Sequence, residues 1–278
     1  MVFLIMFLIG VFSAIVGSVA GLGGGVIFVP VLLFLAQFHT DFSWVNPQNI
    51  VAMSLLVMIF TGLSATLTFL KRKRVDVHSG SLFLIGSIPG ALTGVWVNRF
   101  IDIDTFQLYF GLLMLFVSSM FFIKKKLLKN VESKQASRVD KKYYVTRTFE
   151  LSGVSTTYSY SLILGIFISF FVGMMSGLFG VGGGSLMVPA MILLFGFPAH
   201  IAAPTSMFMI FFSSIMSSGA HVIAGHVLWS YTLASIPGAW LGGYLGAKLN
   251  QRLNSHVIEW ILRIIMIVIG VRLILESL

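Results

Sequence analysis

Residues Gly177–Pro189 read GLFGVGGGSLMVP, five glycines and a proline set in surroundings that are almost wholly apolar. An apolar helix is not interrupted in this way without a physical cause, because glycine costs about 1 kcal/mol relative to alanine in a helix interior and proline about 3 kcal/mol. The 278 residues are 57% hydrophobic and 10% charged, with 26 phenylalanines, and the mean hydropathy is +0.98. That composition lies well outside the range of soluble domains. Apolar stretches approaching twenty residues recur, and a hydrocarbon core about 30 Å thick needs roughly 20 such residues per helical crossing. The expected fold class is an all-α polytopic membrane protein.

Ten segments are expected, at about 3–20, 26–38, 48–70, 79–100, 104–123, 160–179, 185–197, 201–224, 227–248 and 256–276. No Lys or Arg precedes Lys71, so the first stretch lacks the basic leader of a secretory signal and is expected to be a retained helix. The KRKR run of Lys71–Arg74, the stretch from Lys124 to Glu150 with nine bases and three acids, and Lys248 with Arg252 are three basic loops. The positive-inside rule puts all three in the cytoplasm, which with ten crossings leaves both termini external. The net charge of +9 is thereby a matter of topology, and no nucleic-acid partner is expected. With no cysteine there is no disulfide framework and no thiolate metal site. Neither metal nor cofactor is expected; the partners are a small anionic substrate and the lipid bilayer, and the sequence gives no oligomeric state.

The opening stretch has a partner. GLGGGVIFVPVLLF from Gly21 aligns without a gap on GVGGGSLMVPAMILLF from Gly180, SIPGALTG (87–94) on SIPGAWLG (235–242), and VAMSLLVMIF (51–60) more loosely on APTSMFMIFF (203–212). The chain divides into a first transmembrane repeat, 1–123, a basic cytoplasmic linker, 124–159, and a second transmembrane repeat, 160–278. Two copies of an odd number of segments insert with opposite orientation, an arrangement found in transporters. The alignment predicts Pro30 over Pro189 and Pro89 over Pro237.

Each glycine cluster precedes a segment of about thirteen residues, which spans only about 20 Å of the 30 Å core. Gly23, Gly24 and Gly25, and then Gly182, Gly183 and Gly184, are expected to be recessed into the membrane. A helix starting there points unpaired N–H groups and its positive dipole end at a cavity, which suits an anion. The N–H of Ser185 and the hydroxyls of Ser54, Thr205 and Ser206 complete the expected substrate shell, with Pro30 and Pro189 as kinks. Gly173, in a full-length span, is expected to tolerate alanine. His221 and His226 read as interfacial, with His221 a candidate proton relay. No Asp or Glu is expected deep in a span. Two other readings are an anion channel and an intramembrane serine protease using Ser185 with His221.

The duplicated glycine–proline element, with the PTS of Pro204–Ser206, resembles the TauE/SafE (TSUP) family of sulfite and organosulfonate exporters. The resemblance implies a multi-pass plasma-membrane permease for sulfite, sulfoacetate or related anions, without enzyme activity or cofactor. By position it implicates Gly23–Gly25 with Pro30, Gly182–Gly184 with Pro189, and Thr205 with Ser206. Met53 stands where Thr205 has its counterpart, so the half-sites are unequal.

Overall fold

The computed structural model describes residues 2–135, 143–151, 154–252 and 255–276. Ten helices occur among them: α1 Val2–Ala20, α2 Gly25–Phe38, α3 Pro47–Leu70, α4 Val77–Asn98, α5 Ile103–Gln135, α6 Leu162–Phe179, α7 Gly184–Leu193, α8 Ala199–Ile223, α9 Trp229–Asn250 and α10 Ser255–Glu276. Five of these, α1, α3, α4, α6 and α8, are long and apolar enough to cross a membrane by length and composition. The helix α7 has ten residues, not the expected thirteen, because the positive φ of Gly196 turns the chain and Phe197 N–H bonds back to Met191 O. The helix α5 runs past the expected end at residue 123. Part of the expected linker is an antiparallel hairpin, β1 Tyr144–Leu151 with β2 Val154–Ser161; residues 136–142 and 152–153 lie outside the described residues.

Helix packing is reciprocal between the halves. The helix α4 lies on α6 as α9 lies on α1, while α3 meets α8 and α5 meets α10. A β-carbon added to Gly86, Gly90 or Gly94 of α4 would fall on the carbonyl oxygen of Ile166, Phe170 or Met174 of α6. One added to Gly238, Gly242 or Gly246 of α9 would fall on that of Phe7, Val11 or Ile15 of α1. Small residues at i and i+4 let helix backbones touch where lipid supplies no hydrophobic drive for association, and Cα–H···O contacts add to the packing. The helix ends agree: Asn98 Nδ2 donates to Leu178 O at 2.8 Å and Asn250 Nδ2 to Val19 O at 2.5 Å.

These contacts correct the register of the repeat. Since Gly21 aligns on Gly180, Val11 matches Phe170, so Gly242 is the counterpart of Gly90 and Asn250 of Asn98. The SIPGA match instead sets Gly238 against Gly90 and Pro237 against Pro89, one helical turn away. A glycine ladder of period four looks the same after a one-turn shift, and the string match caught the shifted solution.

Gly173 also departs from expectation. It lies inside the α4–α6 contact, where an added β-carbon would fall on Ser87 O. Gly173→Ala is expected to lower the thermal unfolding temperature and the monodisperse yield of detergent-solubilised protein. Gly219→Ala, a site with nothing within 4 Å of the added methyl, is expected to leave both unchanged or slightly raised. Equal behaviour of the two variants in a melting assay would show that the close α4–α6 approach is unimportant.

Candidate functional site

The two glycine clusters meet at the centre of the helix bundle, and Gly21–Gly25 and Gly180–Gly184 are all buried. Gly21, Gly23, Gly180 and Gly182 have φ between 66° and 83°, a region where a side chain is strained. The third pair differs, with Gly24 left-handed at φ 91° and Gly183 right-handed at φ −52°. Each cluster approaches the other: a β-carbon on Gly25 would fall on Gly180 O, and one on Gly184 on Gly21 O. Among the described residues, no hydrogen bond reaches the N–H of Gly24, Gly25, Gly183 or Gly184. Buried amides of this kind are rare because each costs about 1–3 kcal/mol unpaired. Pro30 and Pro189 sit at matching positions inside α2 and α7, where each removes one intrahelical bond.

The expected hydroxyls are here, in a crossed arrangement. Ser54 Oγ of α3 donates to Gly180 O at 2.6 Å, and Ser206 Oγ of α8 donates to Gly21 O at 2.6 Å. Each half contributes the hydroxyl that holds the other half's glycine loop. Met58 and Ile210, one turn further along α3 and α8, close the space between the clusters; a methyl on Gly23 would lie 3.0 Å from both Met58 Sδ and Ile210 Cδ1. Thr205 is used differently. Its Oγ1 accepts from Asp76 N–H at 3.0 Å, so its own proton is still available, whereas those of Ser54 and Ser206 are committed to carbonyls.

The profile of the sulfite exporter TauE/SafE family matches residues 6–273. The chain belongs to the TauE/SafE family. It is 46% identical over 279 residues to "Probable membrane transporter protein YunE" of Bacillus subtilis (strain 168), an alignment covering 100% of this chain and 99% of that one. A "Probable membrane transporter protein" of Haemophilus influenzae is 27% identical over 238 residues, covering 86% and 81% of the two chains. "Sulfite exporter TauE/SafE family protein 5" of Arabidopsis thaliana is 43% identical over 58 residues, 21% of this chain and 13% of that one. No solved structure matches. This TauE/SafE member is thus a membrane transporter and not an enzyme.

Asp76, which the sequence reading passed over, is the most fully hydrogen-bonded carboxylate among the described residues. It caps α4, accepting from Ser79 N–H at 3.2 Å and from Ser79 Oγ at 2.5 Å. The hairpin supplies the rest: Tyr158 Oη donates to Asp76 Oδ2 at 2.7 Å, Tyr160 Oη donates to Ser79 Oγ at 2.8 Å, and Arg147 lies 3.5 Å from Asp76 Oδ1. Both tyrosine rings pack on Phe197, and Tyr160 also on Phe83 and Phe195. Alternation along β2 sends Tyr158 and Tyr160 inward while Ser159 and Thr157 pair with Thr146 and Thr148 outside. Two eight-residue runs rich in Tyr, Val and Thr around Ser152-Gly153 were the available hairpin signal, and Asp-Val-His-Ser the available cap signal. Through Asp76 N–H the hairpin's anchor reaches Thr205, next to the Ser206–Gly21 contact.

Burial pushes the Asp76 carboxyl up, but hydrogen bonds from Ser79 and Tyr158 and the Arg147 charge outweigh it and hold it below the usual carboxylate range. Burial, with the Asp76 charge, pushes the Tyr160 phenol up to about 12 and the Tyr158 phenol higher. Both tyrosines therefore remain donors at neutral pH.

His221 is fully buried in α8 and does not sit at the surface. Its Nδ1 lies 3.1 Å from His226 Nδ1, so one ring nitrogen donates and the other accepts. Burial and the Arg99 charge hold His226 below the ordinary imidazole range. Ser214 Oγ and Ser218 Oγ, on the same face of α8 as His221, are buried with no hydrogen-bond partner among the described residues. The Ser185 side chain lies outside the described residues. Its neighbour Gly184 packs at Ser206 Oγ, and His221 is fifteen residues further along α8, about 22 Å at 1.5 Å per residue. Such a separation is incompatible with a serine–histidine pair.

Hairpin docking is expected to respond unequally to its contacts. Tyr158→Phe removes a hydrogen bond to a charged group, about 1.5–3 kcal/mol, and should raise the rate of proteolysis within the hairpin tenfold or more. Arg147→Ala removes a long, half-exposed ion pair and should change that rate only severalfold or less. Because the folded-state value of Asp76 is depressed, its contribution is present above the unfolded value, about 3.9, and is lost as pH falls through the lower folded value. Proteolysis rates corrected for protease activity should accordingly be flat from about pH 5 to 9; a break near pH 6 would contradict the assignment of Asp76.

Proposed function

We propose that this transporter exports sulfur-containing anions, such as sulfite, sulfoacetate or related species, across the cell membrane by alternating access. The anion rests between the two Gly-rich helix starts. The observation that carries the reading is the set of four buried amides, at Gly24, Gly25, Gly183 and Gly184, that no group among the described residues satisfies where the two helix starts meet. An anion is the ligand such N–H groups suit. In this arrangement the centre is closed by the crossed Ser54–Gly180 and Ser206–Gly21 bonds and by Met58 and Ile210. When the halves part, both serine hydroxyls exchange a carbonyl acceptor for the anion, and Thr205 joins them without breaking a bond that it donates.

Ten membrane crossings in two inverted halves, with both termini external, accord with the reciprocal packing of α4 on α6 and α9 on α1. They accord also with the clustering of basic loops at one end, since Arg147 reaches Asp76 while Lys71, Arg72 and Lys248 line one cavity. The row of buried polar side chains Ser214, Ser218 and His221 supports α8 as the wall of the route from the centre towards the opposite end. Export follows from the membrane potential, worth about 2.3 kcal/mol per charge per 100 mV, which drives anions out of a negative interior.

A proteoliposome screen of sulfite, sulfate, thiosulfate, sulfoacetate, taurine and a carboxylate control, with and without an imposed potential, tests substrate and charge together. Saturation distinguishes a carrier from a channel. Thr205→Val is expected to raise the half-saturating concentration about tenfold, equivalent to about 1.4 kcal/mol. Gly184→Val is expected to abolish flux, its side chain colliding with Gly21 O. Normal transport by both variants would put the anion elsewhere.

A further inference from the structure

A second concave site lies between the C-terminal turns of α3 and α9, apart from the glycine clusters. It is a cavity of about 390 Å³ lined by Ser64, Thr68, Lys71, Arg72, Lys248 and Gln251, with Leu67, Trp240 and Tyr244 as its apolar wall. Among the described residues no acidic side chain lines it. Three cations converge on one hollow, which is more than scattered juxtamembrane bases require. Its floor is braced: Ser64 Oγ donates to Trp240 O at 2.8 Å, Thr68 Oγ1 to Ser64 O at 2.9 Å, and Lys248 Nζ sits 4.3 Å over the Tyr244 ring.

The surroundings identify what the hollow faces. Leu67, Leu70, Trp240, Leu241, Tyr244, Leu245 and Leu249 are all exposed, so apolar helix surface runs away from the cavity on the same side as its aromatic wall. Trp and Tyr at the end of an apolar helix face mark the headgroup level of a bilayer. Basic pockets between transmembrane helices bind anionic headgroups, with roughly 1 kcal/mol per base near the surface.

We propose that this cavity is an oxyanion site for the phosphodiester headgroup of an anionic phospholipid, whose acyl chains lie along the exposed leucines of α3 and α9. Lys71, Arg72 and Lys248 neutralise the phosphodiester, Gln251 and Thr68 face the polar part of the headgroup, and Trp240 and Tyr244 flank the glycerol. A dissolved sulfur or phosphorus oxyanion shares this chemistry, and the experiment separates the two sources. The site does not depend on the central transport reading, since its readout is binding rather than flux.

Native mass spectrometry of the full chain in a non-ionic detergent, with short-chain phosphatidylglycerol or phosphatidylcholine added, is the test. Wild type should carry phosphatidylglycerol adducts about tenfold in excess over phosphatidylcholine. The triple variant Lys71→Gln/Arg72→Gln/Lys248→Gln should lose that excess, Lys71→Arg/Lys248→Arg should retain it, and the charge-matched control Lys124→Gln/Lys125→Gln/Lys126→Gln should behave as wild type. An unchanged melting temperature of the triple variant excludes misfolding as the cause of the loss. Displacement of the lipid by sulfate or sulfite at millimolar concentration, dependent on the same three bases, would keep the oxyanion site and give it a dissolved occupant. Equal binding of the two lipids by wild type, or equal loss in the charge-matched control, would overturn the proposal.

Discussion

Everything in this fold hangs on helix backbones touching without side chains between them. In lipid, leucine against leucine gains nothing over leucine against an acyl chain, so association relies on contact density and polar bonds. The glycine ladders of α4 and α9 provide both, because each removed methyl lets an α-carbon rest on a facing carbonyl. Those two ladders draw α6 and α1 in from the other half of the chain. The halves are consequently interleaved, and neither could keep its packing alone.

The same constraint operates at the centre with a different result. There the close approach is between two irregular loops, and glycine serves the positive φ of Gly21, Gly23, Gly180 and Gly182 as well as the contact. Crossed serine bonds hold each loop by a group from the opposite half. Each of these hydrogen bonds is worth about 1 kcal/mol, a modest fastening between the two loops. Among the described residues no partner reaches the four amides of Gly24, Gly25, Gly183 and Gly184 beside it, a standing cost at the same place.

Reciprocity ends where the hairpin begins. Asp76 caps α4, while Leu228 occupies the same place before α9; Thr205 stands opposite Met53. One half thus carries a carboxylate clamped by Ser79, Tyr158 and Arg147 and wired to a hydroxyl beside the glycine loop, and the other half carries apolar side chains. The packing that α4 and α9 share is thus not matched by the groups at their N-terminal ends.

The sequence by itself determined the membrane setting, the existence and order of the ten helices, though not the end of α5, and the grouping of the glycines with Ser54 and Ser206 around one centre. Those features are written in local hydropathy, in helix breakers and in short strings, all of which survive without knowledge of neighbours. Tertiary structure alone decided the packing register of α4 and α9, because a period-four ladder is blind to a shift of one turn. It decided also that Ser54 and Ser206 bond across the halves, that Gly173 is a contact point and that Asp76 is buried. Each of these depends on which carbonyl or ring arrives from a distant part of the chain. For Asp76 that part is a hairpin some eighty residues on, and a carboxylate four residues beyond Arg72 reads as a solvated loop until two tyrosines are seen to cover it.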